Sequence, residues 1–266
     1  MMTPIAVTIA GSDSGGGAGI QADLKTFSAL GVYGASVITA LTAQNTRGVR
    51  AIHDVPPAFI AEEIDAVFSD LAVGAVKIGM LSQAAVIETV AAGLNRHGQR
   101  NVVLDPVMVA ASGDPLMAPD AVEVLRRVLI PRALVITPNL PEAAALLDSA
   151  MARNESEMRA QAEKLLTFGC GAVLIKGGHG TGPESVDILL DATAQVRLAS
   201  ERVVTAHTHG TGCTLSSAIA AGLARGLALT DAVGQAKAYV SAAIAAADRL
   251  AVGAGHGPVH HFHAWW

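Results

Sequence analysis

The chain turns on His209-Gly210-Thr211-Gly212-Cys213-Thr214-Leu215-Ser216, which follows a segment rich in Val and Thr and opens the apolar run from Ser217 to Leu227. Apolar residues in that run recur at helical spacing with no proline, so a helix is expected. Gly210 and Gly212 let backbone N–H groups converge with no Cβ in the way. The first N–H groups of a helix have no intrahelical partner and lie at the positive end of its dipole. Such a turn suits a phosphate or developing negative charge. It suits equally an ordinary glycine turn capped by Thr211 or Thr214, and only the rest of the chain separates the two.

Outward from that turn, strand and helix patterns alternate. Strands are expected at Ile5–Ala10, Ala35–Leu41, Ala75–Ile78, Asn101–Leu104, Ala133–Ile136 and Ala172–Ile175, each short and almost wholly apolar. Helices are expected at Ile20–Leu30, from Pro56-Pro57 to about Leu71, and at Gln83–Asn95, Pro119–Leu129, Pro141–Leu147 and Glu155–Phe168. Two more follow at Cys213–Arg225 and Thr230–Leu250. Val186–Leu190 and Gln195–Leu198 flank Asp191-Ala192 and read as a hairpin at a sheet edge. No Gly/Ser/Pro linker, repeat or low-complexity tract divides the chain. The expectation is one α/β domain over residues 1–266, with a mainly parallel sheet covered on both faces.

Composition narrows the function. Hydrophobic residues make up 51% of the chain but aromatics only 3%, so Ala, Val, Leu and Ile must carry burial in close helix–sheet packing. A net charge of −5 with no basic block argues against nucleic acid and anionic membrane surfaces as partners. Residues 26–46 and 203–224 are uncharged, yet their Gly, Ser and Thr suit buried strands and loops better than membrane spans. Two distant cysteines, Cys170 and Cys213, fit a reducing cytoplasm rather than a disulfide framework.

In an open parallel sheet, ligands bind beyond the carboxyl ends of the strands. Those ends carry Gly11-Ser12-Asp13, Gln44-Asn45, Gly79-Met80, Asp105-Pro106, Asn139 with Glu142, Lys176-Gly177-Gly178 and the Gly210 turn. With charged residues at only 15% of the chain, this concentration is informative. Asp105, Asn139 and Glu142 are oxygen donors of the kind Mg²⁺ takes beside water and phosphate. Lys176 offers positive charge to phosphate oxygens. Each also has a plain structural use: Asn139 and Glu142 as caps of the helix after Pro138, and Asp105 in a turn. There is no P-loop motif. Gly17-Ala18-Gly19-Ile20-Gln21-Ala22 matches the loose dinucleotide pattern, but the next strand ends in Gln44, with no acid for a ribose. Asp23 lies one turn into the following helix, within reach of a ligand or of the helix N-terminus.

The residues in order resemble the hydroxymethylpyrimidine/phosphomethylpyrimidine kinases of thiamine biosynthesis, within the ribokinase-like superfamily. The resemblance rests on Gly11-Ser12-Asp13 with Gly15–Thr26, on Ala43-Gln44-Asn45-Thr46, and on Lys77-Ile78-Gly79-Met80-Leu81. It continues through Asp105-Pro106-Val107-Met108, Thr137–Ala143, Lys176-Gly177-Gly178-His179, His209–Thr214 and the tail Gly257–His263. It implies a three-layer α/β/α fold and two successive ATP-dependent phosphorylations, of 4-amino-5-hydroxymethyl-2-methylpyrimidine and then of its monophosphate. It implies further that Gln44 hydrogen-bonds the pyrimidine, with Asp23, Gly11 and Met80 around it. Glu142, Asp105 and Asn139 are then on the Mg²⁺–phosphate side, and Lys176 is near the nucleotide phosphates. Gly210, Thr211, Gly212 and Cys213 form the anion hole, Cys213 standing where many superfamily members have an aspartate base. A cytoplasmic homodimer is implied as well. One departure is Ala111, in Val109–Gly113, where the family often carries Lys or Thr.

Three other readings remain open on residues alone. A pyridoxal kinase shares fold and chemistry, a pyrimidine-binding sensor shares the site without turnover, and a nicotinamide dehydrogenase follows from the loose glycine motif. The tail histidines His256, His260, His261 and His263 have no acidic or Cys neighbour, so packing or interface use is expected of them rather than metal binding.

Overall fold

The computed structural model describes residues 2–109 and 116–266. Nine strands form a single sheet: β1 (Ile5–Asp13), β2 (Tyr33–Asn45), β3 (Gly48–Asp54), β4 (Ala75–Ile78), β5 (Val102–Leu104), β6 (Val135–Ile136), β7 (Ala172–Lys176), β8 (Glu184–Asp191) and β9 (Gln195–Glu201). Their spatial order is β3-β2-β1-β4-β5-β6-β7-β8-β9. The central six, from β2 to β7, are parallel. β3 pairs antiparallel with β2 at one edge, and at the other β8 pairs antiparallel with β7 and β9 with β8.

Among the described residues the α-helices are α1 (Gly19–Ala29), α2 (Pro57–Asp70), α3 (Ala84–Arg96), α4 (Pro119–Val124), α5 (Leu140–Leu147), α6 (Glu155–Leu166), α7 (Thr211–Ala224) and α8 (Leu229–Ala245). They cover both faces, because successive strand residues point to opposite sides. Val7, Val76, Leu104, Ile136 and Val173 join the core under α2, α3, α5 and α6. Their neighbours Ala6, Ala75, Val103, Val135 and Ala172 join the core under α1, α7 and α8. Alanines on that second face meet Ala218, Ala220 and Ala221 of α7, so helix and sheet approach closely.

Three elements differ from the sequence expectation. β3 is absent from it, because Arg50, Ala51, Ile52 and His53 are all exposed and no alternating apolar face marks the strand. β1 runs on through Gly11-Ser12-Asp13, with an irregularity in its pairing to β2 between Ala10 and Ser12. The helix expected over Pro119–Leu129 gives way at Leu125 to a wider π turn and then to a 3₁₀ turn, Ile130–Arg132. Pro131 has no N–H to continue the ladder. The 186–198 hairpin is present and longer than expected. Ala111 lies outside the described residues.

Candidate active site

The carboxyl ends of β1, β4, β5 and β7 bring the expected residues to one edge. Gly210 takes a left-handed φ of 80° at the start of α7. A Cβ there would run into the carbonyl oxygen of Gly17, so the turn needs glycine for conformation and for space. Thr211 spends its N–H on the carbonyl of Thr208. The free amides of the turn are therefore those of Gly212 and Cys213, which helix geometry leaves unpaired.

Opposite that turn stand three charged side chains. Lys176 Nζ donates to Asp105 Oδ1 at 2.8 Å and lies 3.7 Å from Glu142 Oε2. Asp105 also accepts from Thr137 Oγ1 at 3.1 Å. A Cβ on Gly212 would come within 3.3 Å of Lys176 Nζ and 3.4 Å of Asp105 Oδ2, so this glycine keeps the backbone open toward both. Burial pushes the Glu142 carboxyl up to about 7; Lys176 opposes the shift and Asp105 adds to it. Burial would discharge Lys176, but the carboxylates of Asp105 and Glu142 outweigh it and hold the ammonium charged.

Asn139 takes the helix-capping use that its sequence position also allows. Its Oδ1 accepts the N–H of Glu142 at 2.9 Å while Glu142 Oε2 accepts the N–H of Asn139 at 2.7 Å, a reciprocal capping box at the start of α5. The amide oxygen thus spends one of its two lone pairs on the helix. Asp105 and Glu142 remain as anionic oxygen donors, with one lysine between two carboxylates. A Mg²⁺ held mainly through water and phosphate oxygens fits that pair.

On the acceptor side, Gly11, Met80 and Gln44 gather around β1. A Cβ on Gly11 would touch Met80 Sδ at 3.1 Å. Gln44 lies one residue before the end of β2; its Oε1 accepts from Thr42 at 3.1 Å, and its backbone exchanges two 2.9 Å bonds with the Ser14 hydroxyl. Residues 11–19 bridge Gln44 to the anion-binding turn, since Gly17 abuts Gly210 and the Gly19 N–H donates to the Cys213 sulfur. Burial pushes the Cys213 thiol up to about 11; Lys77 opposes that, and Asp23 and Asp105 reinforce it.

Asp23 does not face the acceptor. It is fully buried, with Oδ2 accepting from Thr8 at 2.6 Å and from Lys77 at 2.8 Å, and Oδ1 from Ser217 at 2.6 Å. Its expected contact with substrate is replaced by three protein partners, because α1 packs against β1 and α7 at that point.

Sequence reasoning missed Asp13 and His209 as partners. Asp13 accepts the N–H groups of Gly15, Gly17 and Ala18 and pairs with His209 Nε2 at 2.9 Å. Despite burial, His209 and these N–H groups hold its carboxyl below the usual range. The run Asp13-Ser14-Gly15 carries an Asx-turn signal, but nothing local names His209, which lies 196 residues away. Lys77 carried a signal too, as the one charge in the four-residue buried strand β4. The tail packs as expected: Gly257 and Val259 bond to the His209 backbone, and His261 Nε2 lies 3.1 Å from the Thr214 hydroxyl.

A family model described as phosphomethylpyrimidine kinase matches residues 13–260. The chain belongs to the phosphomethylpyrimidine kinase family. A hydroxymethylpyrimidine/phosphomethylpyrimidine kinase of Rhizobium meliloti is 62% identical, covering 100% of this chain and 99% of its own. The solved phosphomethylpyrimidine kinase of Clostridium difficile 630 is 46% identical, with a TM-score of 0.80 over 90% of this chain and 99% of its own. A Bacillus subtilis pyridoxal kinase, solved as an ADP complex, is 36% identical with a TM-score of 0.91 over 99% of both chains. The kinase family and these neighbours identify the fold as the ribokinase-like α/β/α arrangement. Among the described residues, no helix is long and apolar enough to cross a membrane.

Proposed function

We propose that this chain, working as one kinase domain, phosphorylates a hydroxymethylpyrimidine twice with ATP in thiamine biosynthesis, as its relatives are named for doing. The carrying observation is that the Gly212 and Cys213 amides, Lys176 and the Asp105–Glu142 pair face one another on the edge that also holds Gly11, Met80 and Gln44. The acceptor oxygen attacks the γ-phosphorus of ATP, the bond to the β-phosphate oxygen breaks, and ADP leaves. Charge on the travelling phosphoryl group is met by the two free amides and by Lys176. Gln44 presents an amide donor and acceptor together, which suits a ring nitrogen beside an exocyclic amino group. Asp105 and Glu142 would hold Mg²⁺ through water and phosphate oxygens. The ion, when bound, neutralises charge on the β- and γ-phosphates.

Cys213 is the proposed acceptor of the hydroxyl proton in the first step. With its thiol held up to about 11, the sulfur must first shed its own proton, so the competent fraction grows with pH. The second step attacks with an oxygen that is already ionised and needs no such acceptor.

ADP release driven by the hydroxymethylpyrimidine, with mass analysis for mono- and diphosphate, tests the assignment. A mono- then diphosphate series is expected, and no ADP release would leave a binding protein without turnover. The 0.91 superposition on a pyridoxal kinase favours pyridoxal as a second substrate. Equal-ATP competition decides it, and preference for pyridoxal would reverse the reading. We also propose a cytoplasmic homodimer acting on small molecules rather than on nucleic acid or membrane. Light scattering at twice the 27.0 kDa chain mass is the expected result.

A further inference from the structure

A buried ion pair that the proposed chemistry does not use lies behind Lys176. Lys237 Nζ on α8 donates to Asp187 Oδ2 on β8 at 2.8 Å, and the two side chains are 10% and 6% exposed. The other oxygen of that carboxylate, Oδ1, accepts the N–H of Gly177 at 2.9 Å. Asp187 is the cross-strand partner of Lys176, the last residue of β7. The N–H of Lys176 itself donates to the carbonyl of Pro138 at 2.9 Å. The backbone is therefore fixed on both sides of Lys176, by a main-chain acceptor before it and a side-chain acceptor after it. A Cβ on Gly177 would run into the carbonyl oxygen of Val186, so the chain leaves β7 pressed against β8. At the far end of the same residue, Lys176 Nζ reaches Asp105 at 2.8 Å. Buried pairs seldom add net stability over apolar side chains of the same volume, so what they touch is the better guide to their use.

We propose that Asp187 is a positioning residue for Lys176: held by Lys237, its carboxylate takes the Gly177 N–H and so fixes where the Lys176 ammonium stands opposite the Gly212–Cys213 turn. The inference rests on reading Lys176 as a phosphate contact. A four-carbon stem carries any tilt of the Lys176 backbone out to its ammonium. Misplacing a group aimed at the reacting phosphoryl by about 1 Å costs about 10²-fold in rate. Gly11, Gln44 and Met80 stand on β1, on β2 and after β4, with β5, β6 and β7 between them and β8. Loss of the Asp187 contact is therefore a loss on the phosphoryl side, not in the grip on the pyrimidine.

Two double substitutions separate positioning from bracing. Asp187→Leu with Lys237→Met removes both charges and the acceptor of the Gly177 N–H. Asp187→Asn with Lys237→Gln removes both charges but keeps an amide oxygen for that N–H. In steady-state kinetics on both phosphorylations, the apolar pair lowers kcat by about 10²-fold and leaves the pyrimidine KM within about twofold. The amide pair restores kcat to within about threefold of the original. Added to Lys176→Met, the apolar pair costs less than about twofold more, because the group being positioned is gone. An apolar pair that folds and keeps kcat within about twofold, an amide pair as slow as the apolar one, or additive losses with Lys176→Met overturn the proposal. Should the apolar pair fail to fold, Asp187→Glu takes its place, since it keeps the charge but moves the carboxylate by a methylene. A loss of about tenfold or more that disappears in Lys176→Met then upholds the proposal, and anything less overturns it. Unimpaired turnover in Lys176→Met alone would overturn the phosphate role of Lys176 and this proposal with it, whereas additive losses strike the proposal alone.

Discussion

Cys213 and Glu142 show how burial sets the chemistry of single side chains. Replacing Cys213 by Ala is expected to slow the first phosphorylation by roughly 10²–10⁴-fold and to leave the second near its original rate. Separate assays on the free pyrimidine and on its monophosphate check this, and equal loss in both would contradict the proton role. Glu142 keeps its proton up to about 7, against 4.5 for an unperturbed glutamate. The folded chain therefore binds that proton more tightly than the unfolded one. The resulting stability is complete below the unfolded pKa and is lost as pH rises through about 7. Glu142→Gln, which has no proton to lose, is expected to flatten this fall. Without nucleotide, its melting temperature relative to the original chain should rise between about pH 5 and pH 8, the sign fixed by linkage.

The first turn of α7 depends on backbone shape more than on side chains. Gly210 combines a φ of 80° with contact against the Gly17 carbonyl, so any Cβ pushes the turn away from residues 11–19. Gly210→Ala is expected to lower kcat for both phosphorylations by about 10²–10³-fold, the size of losing one oxyanion-hole donor. That shared loss contrasts with the selective loss expected of Cys213→Ala, and steady-state kinetics on both substrates compares them. The bond between Asp13 and His209 supports the same register by tying the glycine loop after β1 to the residue before the turn. α5 is set differently: its capping box uses Asn139 and Glu142 together, and leaves Glu142 Oε1 outside the box.

Two apolar cores share one sheet, so damage on one face reaches the other through the strands. Leu104 on β5 is fully buried, one residue before Asp105. Leu104→Ala is expected to destabilise the chain by about 2–5 kcal/mol. Urea unfolding should show one transition with a lower midpoint and an unchanged slope. Two separated transitions would mean that the layers unfold independently. The alanine-rich interface between β1, β4 and α7 brings the helix N-terminus close over the strand ends, which puts Gly212 opposite Lys176 and Asp105.

Much of this was legible along the chain because it is written in local chemistry. Apolar runs of four to seven residues ending in Asp105, Asn139 or Lys176 mark parallel strands and the edge where polar groups collect, and Gly210 and Gly212 mark a Cβ-free turn before a helix. β3 was not legible, since an exposed edge strand held by backbone bonds imposes no side-chain pattern. Nor was the fate of Asp23: a carboxylate shows its type in the sequence but not its partners, whereas the capping use of Asn139 and Glu142 is local and could be read from their spacing. The partners of Asp23 came from packing, which set Lys77, Thr8 and Ser217 around it. The pairing of His209 with Asp13 came the same way, because a hydrogen bond across 196 residues exists only once the sheet and α7 have brought both loops to one edge.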